Sequence, residues 1–147
     1  MRIRNLVAEL CKAYGTRDPF ELARLRNIIL LYDPLGDIQG YYSKSLRQKF
    51  IHINQDLEEL PMRFTCAHEL GHSVLHPNTN TPFLRAETLF SVDRLEIEAN
   101  RFAVFLLFSD EELEEIAQCP VEQIACIMGV PPDLAEYRMR GLQTRLY

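Results

Sequence analysis

The chain has 147 residues, 47% of them hydrophobic, and carries 16 Lys and Arg against 21 Asp and Glu for a formal net charge of −5. That balance suits a single globular domain with its own core, and the negative charge disfavours a partner held through nucleic-acid phosphates. No apolar run is long enough to span a bilayer and the N-terminus has no signal-peptide core. A cytoplasmic protein is therefore expected, its four cysteines (none in a C-x-x-C pair) kept as thiols.

Ile3, Leu6, Val7, Leu10 and Cys11 recur at helical spacing, and Gly15 ends that helix. Asp18-Pro19 opens a second, short helix with Asp18 as its cap. Both helices are expected to cover one side of a sheet. Asn27–Tyr32, Ile38–Tyr42 and Gln48–Asn54 are strand-like runs separated by turn signals, and the last alternates as a half-buried strand does. They predict a small, mainly antiparallel three-stranded sheet, without saying which strand is the edge. His52 sits between apolar residues that face the other way and reads as a structural or surface histidine.

The stretch that carries chemistry is Cys66-Ala67-His68-Glu69-Leu70-Gly71-His72-Ser73-Val74-Leu75-His76. Pro61 suits the first turn of a helix and Pro77 a stop. Residues four apart share a helix face, so His68 and His72 would turn two imidazoles towards one metal ion, most plausibly Zn2+. Glu69 would stand beside that ion, placed to take a proton from a water. Gly71 is costly inside a helix, and close packing of another segment would explain it. His76 lies two turns beyond His68, too far for one ion to reach all three at bond distances of about 2 Å; it is expected to cap or pack the helix end. Cys66 projects from another face and reads as core.

Two histidines on an apolar helix are more often packing residues than ligands. A second segment shifts the balance. Glu96-Ile97-Glu98-Ala99-Asn100-Arg101-Phe102-Ala103-Val104-Phe105-Leu106-Leu107 is a strong helix pattern after the short segment Ser91-Val92-Asp93. Glu96 and Asn100 share a stripe. Glu96 is the preferred third metal ligand, and Asn100 could hydrogen-bond a ligating histidine and fix its tautomer. Glu98 is the competing ligand. Read without the histidine motif, both glutamates would be solvated acids near a helix N-terminus.

Ser109 and Glu112 form a capping-box pattern, and Val121–Arg138 reads as helix, glycine turn, helix. That layout is reminiscent of a DNA-binding helix pair, but Asp133 and Glu136 stand beside Arg138 and Arg140, so direct nucleic-acid binding is not expected. Residues 1–147 are read as one domain, with a helical portion of about 109–147 packed on the rest. The segment Phe83–Phe90 has no clear assignment.

The run Phe64-Thr65-Cys66-Ala67-His68-Glu69-Leu70-Gly71-His72, followed by Glu96-x-x-Ala99-Asn100-x-Phe102-Ala103 and Leu106-Leu107, resembles the ImmA/IrrE family of small zinc metallopeptidases. Gly40-Tyr41-Tyr42 and Phe50-Ile51-His52-Ile53-Asn54 resemble the strands leading into that family's active helix. The resemblance runs from about Arg26 to about Leu142. It implies an α+β, zincin-like fold, with His68, His72 and Glu96 holding Zn2+ and Glu69 as general base. It also implies that 83–90 borders the cleft, and that the substrate is a protein, such as a DNA-binding repressor of a mobile element, prophage or stress response. Cys66, and Phe108-Ser109 after Leu106-Leu107, depart from the family pattern; the second departure bears on the helix exit and nearby cleft. Tyr41, Tyr42, His76, Tyr137 and Arg138 are the candidate oxyanion donors. Two other function classes stay open: a non-proteolytic metal-binding regulator of the toxin–antitoxin type, against which Glu69 argues, and a hydrolase of non-protein amides. Oligomeric state is not readable.

Overall fold

The computed structural model describes residues 2–80 and 89–146, with side chains described for 2–80 and 94–142. The expectation for 83–88 thus lies outside the described residues. The elements in order are α1 (Arg2–Tyr14), α2 (Pro19–Leu25), β1 (Ile28–Asp33), β2 (Gly40–Ser45), β3 (Gln48–Asn54), α3 (Glu59–Leu75), α4 (Leu89–Leu107), α5 (Asp110–Glu114), α6 (Val121–Met128) and α7 (Pro132–Leu146). The fold is α+β as expected, a three-stranded sheet with seven helices among the described residues.

Local chemistry sets most boundaries. Asp18 caps α2 by accepting from the Phe20 N–H at 2.9 Å, with Pro19 at the first helical position. Pro61 falls in the first turn of α3. The helix stops at Leu75 because His76 precedes Pro77, and a residue before proline is pushed out of the helical region; His76 has φ −133° and ψ 57°. Ser109 and Glu112 form the full capping box that starts α5. Gly129 ends α6 with φ +73°, a left-handed cap that glycine adopts without a Cβ penalty. One boundary differs from expectation: α4 begins at Leu89, so Ser91-Val92-Asp93 is already helical.

The strand order is β1-β3-β2, with β3 in the centre. β2 and β3 form an antiparallel hairpin in which Tyr42 faces Ile51. β1 runs parallel to β3, with Leu30 beside Ile51. The sheet is therefore mixed, half parallel and half antiparallel. Ile28, Tyr42, Ile51 and Ile53 point inward and are buried.

Two cores share α4. The larger gathers Val7, Leu22, Ile51, Ile53, Leu70, Phe102 and Leu106 from the first helices, the sheet, α3 and α4. The smaller joins Val104 of α4 to Leu113, Ile124, Met128, Ala135 and Leu142 of the C-terminal helices. α2 lies on β1 and α3, whereas α1 packs chiefly along α4 and joins the same core as the sheet. Among the described residues no helix is long and apolar enough to cross a membrane.

Candidate active site

The middle of α3 is buried without interruption from Thr65 to Ser73. It is held between the sheet and α4 by two glycines, one that leaves no room for a side chain and one where a side chain would be tight. A Cβ on Gly40 would lie 2.5 Å from the His52 carbonyl oxygen and 2.6 Å from Thr65 Cγ2. A Cβ on Gly71 would lie 3.1 Å from Phe102. The second contact is the close packing that Gly71 predicts, and it brings α4 against the histidine helix.

That approach delivers Glu96 to both histidines. Its Oε2 is 2.8 Å from His68 Nε2 and its Oε1 is 3.1 Å from His72 Nε2. Glu69 Oε2 lies 3.9 Å from His68 Nε2. His68, Glu69 and His72 also each offer a donor atom within 4.8 Å of the others. Two imidazole nitrogens and a carboxylate are the donor set of catalytic metal centres with an open position. Ligands of a tetrahedral ion at about 2 Å sit roughly 3.3 Å from one another, close to the spacings found. The residues present thus fit a metal ion, with Glu96 nearer to both rings than Glu69 is to His68.

Glu98, the alternative ligand, points elsewhere. Its Oε1 lies 2.9 Å from His76 Nε2, and its Oε2 accepts from Arg2 Nη2 at 3.2 Å. Two residues on a helix are separated by about 200°, so Glu96 and Glu98 cannot serve the same ion. Asn100 lines the cleft beside Glu96. Its side chain favours the protonated form of His68, but the buried His68 Nδ1 has no partner at hydrogen-bonding geometry among the described residues.

Electrostatics follow the contacts. Burial works against a charged His68, but the Glu96 hydrogen bond and the Glu69 and Glu96 charges outweigh it, so the pKa of His68 is raised. For His72 burial wins and the pKa is lowered. Burial also works against the Glu96 carboxylate, yet its bonds to both rings hold it far below the usual carboxylate range. Burial pushes the Cys66 thiol up, which fits its place in the larger core.

A cleft of about 360 Å³ opens over His68, Glu69, Glu96 and Asn100, with residues 37–40 as its opposite rim beside Phe64 and Thr65. Sequence reading missed what holds this rim. Asn54, at the end of β3, donates from Nδ2 to the Gly36 and Ile38 carbonyls, both at 3.0 Å, and its N–H donates to Gln39 O at 2.8 Å. A buried asparagine closing a strand is the one signal that could have pointed to it. The edge of the sheet beside the cleft is β2. Its far end is occupied, since the Lys44 N–H donates to Asn80 Oδ1 at 2.7 Å.

None of the five candidate oxyanion donors lines the cleft. Tyr42 is buried and donates to Pro77 O at 2.7 Å, and burial pushes its pKa up to about 12. Tyr41 stacks on His52 at 4.0 Å, and the Arg101 guanidinium lies 4.2 Å over the Tyr137 ring. Arg138 is buried, stacks on Phe105, and binds the Val104 and Phe108 carbonyls and Asp110. His76 turns to Glu98.

A buried His-Glu-Leu-Gly-His helix, a carboxylate brought to it by a second helix and a cleft rimmed by a sheet edge are the parts of a small metallopeptidase. Comparison with known proteins agrees. Residues 24–140 match the IrrE N-terminal-like domain family, peptidase M78. The chain is 42% identical over 139 residues to "Uncharacterized immunity region protein 2" of Bacillus phage phi105, covering 92% of this chain and 88% of the relative. It is 33% identical over 143 residues to "Metallopeptidase ImmA" of Bacillus subtilis (strain 168), covering 93% and 83%. The chain belongs to the ImmA/IrrE family of metallopeptidases.

Proposed function

We propose that this protein is a zinc-dependent endopeptidase of the cytoplasm that makes selective cuts in a protein substrate, a DNA-binding repressor of a mobile element or prophage. The observation that carries the reading is the Glu96 carboxylate held at 2.8 and 3.1 Å from the Nε2 atoms of His68 and His72, with Glu69 beside them on an open cleft. His68, His72 and Glu96 hold the ion, and the whole chain works as one domain with its C-terminal helices packed on α4. Bound Zn2+ supplies a Lewis acid that activates water and polarises the scissile carbonyl.

The remaining work falls to the chain itself. Glu69, buried at the cleft wall, takes the proton of the attacking water and hands it to the leaving amine. The rim, fixed by Asn54, leads into Gly40 at the start of edge strand β2, where an extended peptide would pair in the manner of strand addition. The Asn80 cap on Lys44 confines that pairing to the cleft end of β2. Asn100, in the cleft lining with Glu96, is read as the side chain that steadies a ligating histidine. A protein substrate in phage regulation is supported by the kinship with an immunity-region protein of a phage.

Glu69→Gln tests the chemistry. It keeps size and polarity and removes the base. Cleavage of a repressor encoded beside this protein should fall by at least about 100-fold, as for loss of a general base, with metal content unchanged. Cleavage by Glu69→Gln at the wild-type rate would remove Glu69 from the mechanism. No cleavage by wild type of that repressor, with turnover of unrelated unfolded chains, would overturn the proposed selectivity.

A further inference from the structure

The two histidines of the motif are not held alike. His68 Nδ1 is buried with no hydrogen-bond partner among the described residues. His72 Nδ1 lies 3.1 Å from His76 Nδ1, and His76 Nε2 lies 2.9 Å from Glu98 Oε1. The other Glu98 oxygen accepts from Arg2 at 3.2 Å. The His76 side chain is 8% exposed, so water does not substitute for these contacts. The His76 turn is set by Pro77, whose carbonyl is held in turn by the buried Tyr42 hydroxyl at 2.7 Å.

With a metal ion on Nε2, His72 would carry its one proton on Nδ1, facing His76. A carboxylate oxygen accepts, so a His76 that accepts on Nδ1 would donate from Nε2 to Glu98. His72 would then donate from Nδ1 to His76, which leaves the Nε2 lone pair for the ion. That is the tautomer a metal needs. We propose that His76 and Glu98 are positioning residues for His72, a two-membered relay from helix α4 that fixes its ring and tautomer for metal binding. The proposal rests on the reading of His72 as a metal ligand. It gives Glu98 a role behind the ligand, across the helix from Glu96. A contact that merely staples α3 to α4 would strengthen the fold without touching the metal.

The test uses the full-length chain, with Co2+ and Zn2+ affinity measured by competition against a chromophoric chelator, alongside apo-protein melting. Loss of an outer hydrogen-bond partner typically weakens a metal site about 10- to 100-fold. His76→Leu and Glu98→Ala should each show a loss in that range, with apo melting little changed. His76→Gln, whose side-chain carbonyl can accept from His72, should recover part of it. In the zinc-loaded wild type the His72 Nδ1–H should give a slowly exchanging NMR signal that His76→Leu loses. Should His76→Leu fail to fold, Glu98→Ala carries the same test. Affinities within twofold of wild type in the folded variants would overturn the relay while leaving the metal site standing. Wild type that binds neither ion would overturn the metal-site reading and the relay with it.

Discussion

Glu96 is hydrogen-bonded to His68 at 2.8 Å, and that pairing sets a pH signature. The pKa of His68 is raised from its ordinary 6.5, so its contribution to folding is full below 6.5 and fades as pH rises through the raised folded value. The pKa of Glu96 is lowered from 4.5, so its contribution is present above 4.5 and is lost as pH falls through the depressed value. The metal-free protein should therefore hold both between pH 4.5 and 6.5. An ion at this place displaces the His68 proton. At about pH 6, calorimetry in two buffers of different ionisation enthalpy should register release of about one proton per Zn2+ bound, with affinity falling further as the pH drops. Binding without proton release at that pH would contradict the His68–Glu96 pairing. At this scale the sequence was legible where spacing carries the information. Helical periodicity placed His68 and His72 together and put Glu96 on a stripe with Asn100. It was silent on His76 and Glu98, whose meeting depends on where Pro77 breaks one helix and how the other lies across it.

Helix α4 is the element on which the site depends, because it brings Glu96 to α3 and reaches both cores. Gly71 sets the approach. Alanine there would gain about 1 kcal/mol of helix propensity but would press on the fully buried Phe102, and overpacking of this kind costs about 1–3 kcal/mol. Gly71→Ala should thus lose about 1 kcal/mol in denaturant unfolding and weaken metal binding at the same time, as α4 shifts and carries Glu96 with it. Unfolding that becomes more difficult, with metal affinity intact, would show that α4 has room to yield. The sheet shows where local reading stops. Each strand was visible from its own residues, but β1 pairs with β3 in parallel, across an intervening hairpin strand. Nothing in a strand's own pattern states which neighbour it will take. The same holds for α1, whose apolar stripe announces burial without naming α4 as the partner.

For the molecule as a whole, Arg138 ties the C-terminal helices to the exit of α4. Its Nε and Nη2 donate to Val104 O, Phe108 O and Asp110 at 3.3, 2.8 and 2.8 Å, and Asp110 also binds Arg4 of α1 at 3.0 Å. Here the Phe108-Ser109 departure from the family pattern finds a physical place. Phe108 contributes a carbonyl to Arg138, and Ser109 starts α5 as its cap. Arg138→Met would leave the Val104 and Phe108 carbonyls without their donor, while Asp110 keeps Arg4. A loss of about 1–3 kcal/mol is expected, read as a lower denaturant midpoint, with metal affinity retained in whatever fraction stays folded. A loss under about 1 kcal/mol, the range of a surface pair, would mean the C-terminal helices hold to α4 through apolar contact alone. The arginine was legible in the sequence only as a basic residue on a helix; that it is buried follows from the acid and carbonyls that other elements bring to it.

The most direct test of the account is the metal content of the purified full-length protein, by elemental analysis, beside Glu96→Ala and Glu69→Gln. About one zinc per chain in wild type and in Glu69→Gln, and almost none in Glu96→Ala, is the result expected of a site with two imidazoles and one carboxylate. Zinc retained in Glu96→Ala but lost in Glu69→Gln would make Glu69 the ligand and remove the base from the mechanism. Wild type without metal after zinc is resupplied would contradict the central claim.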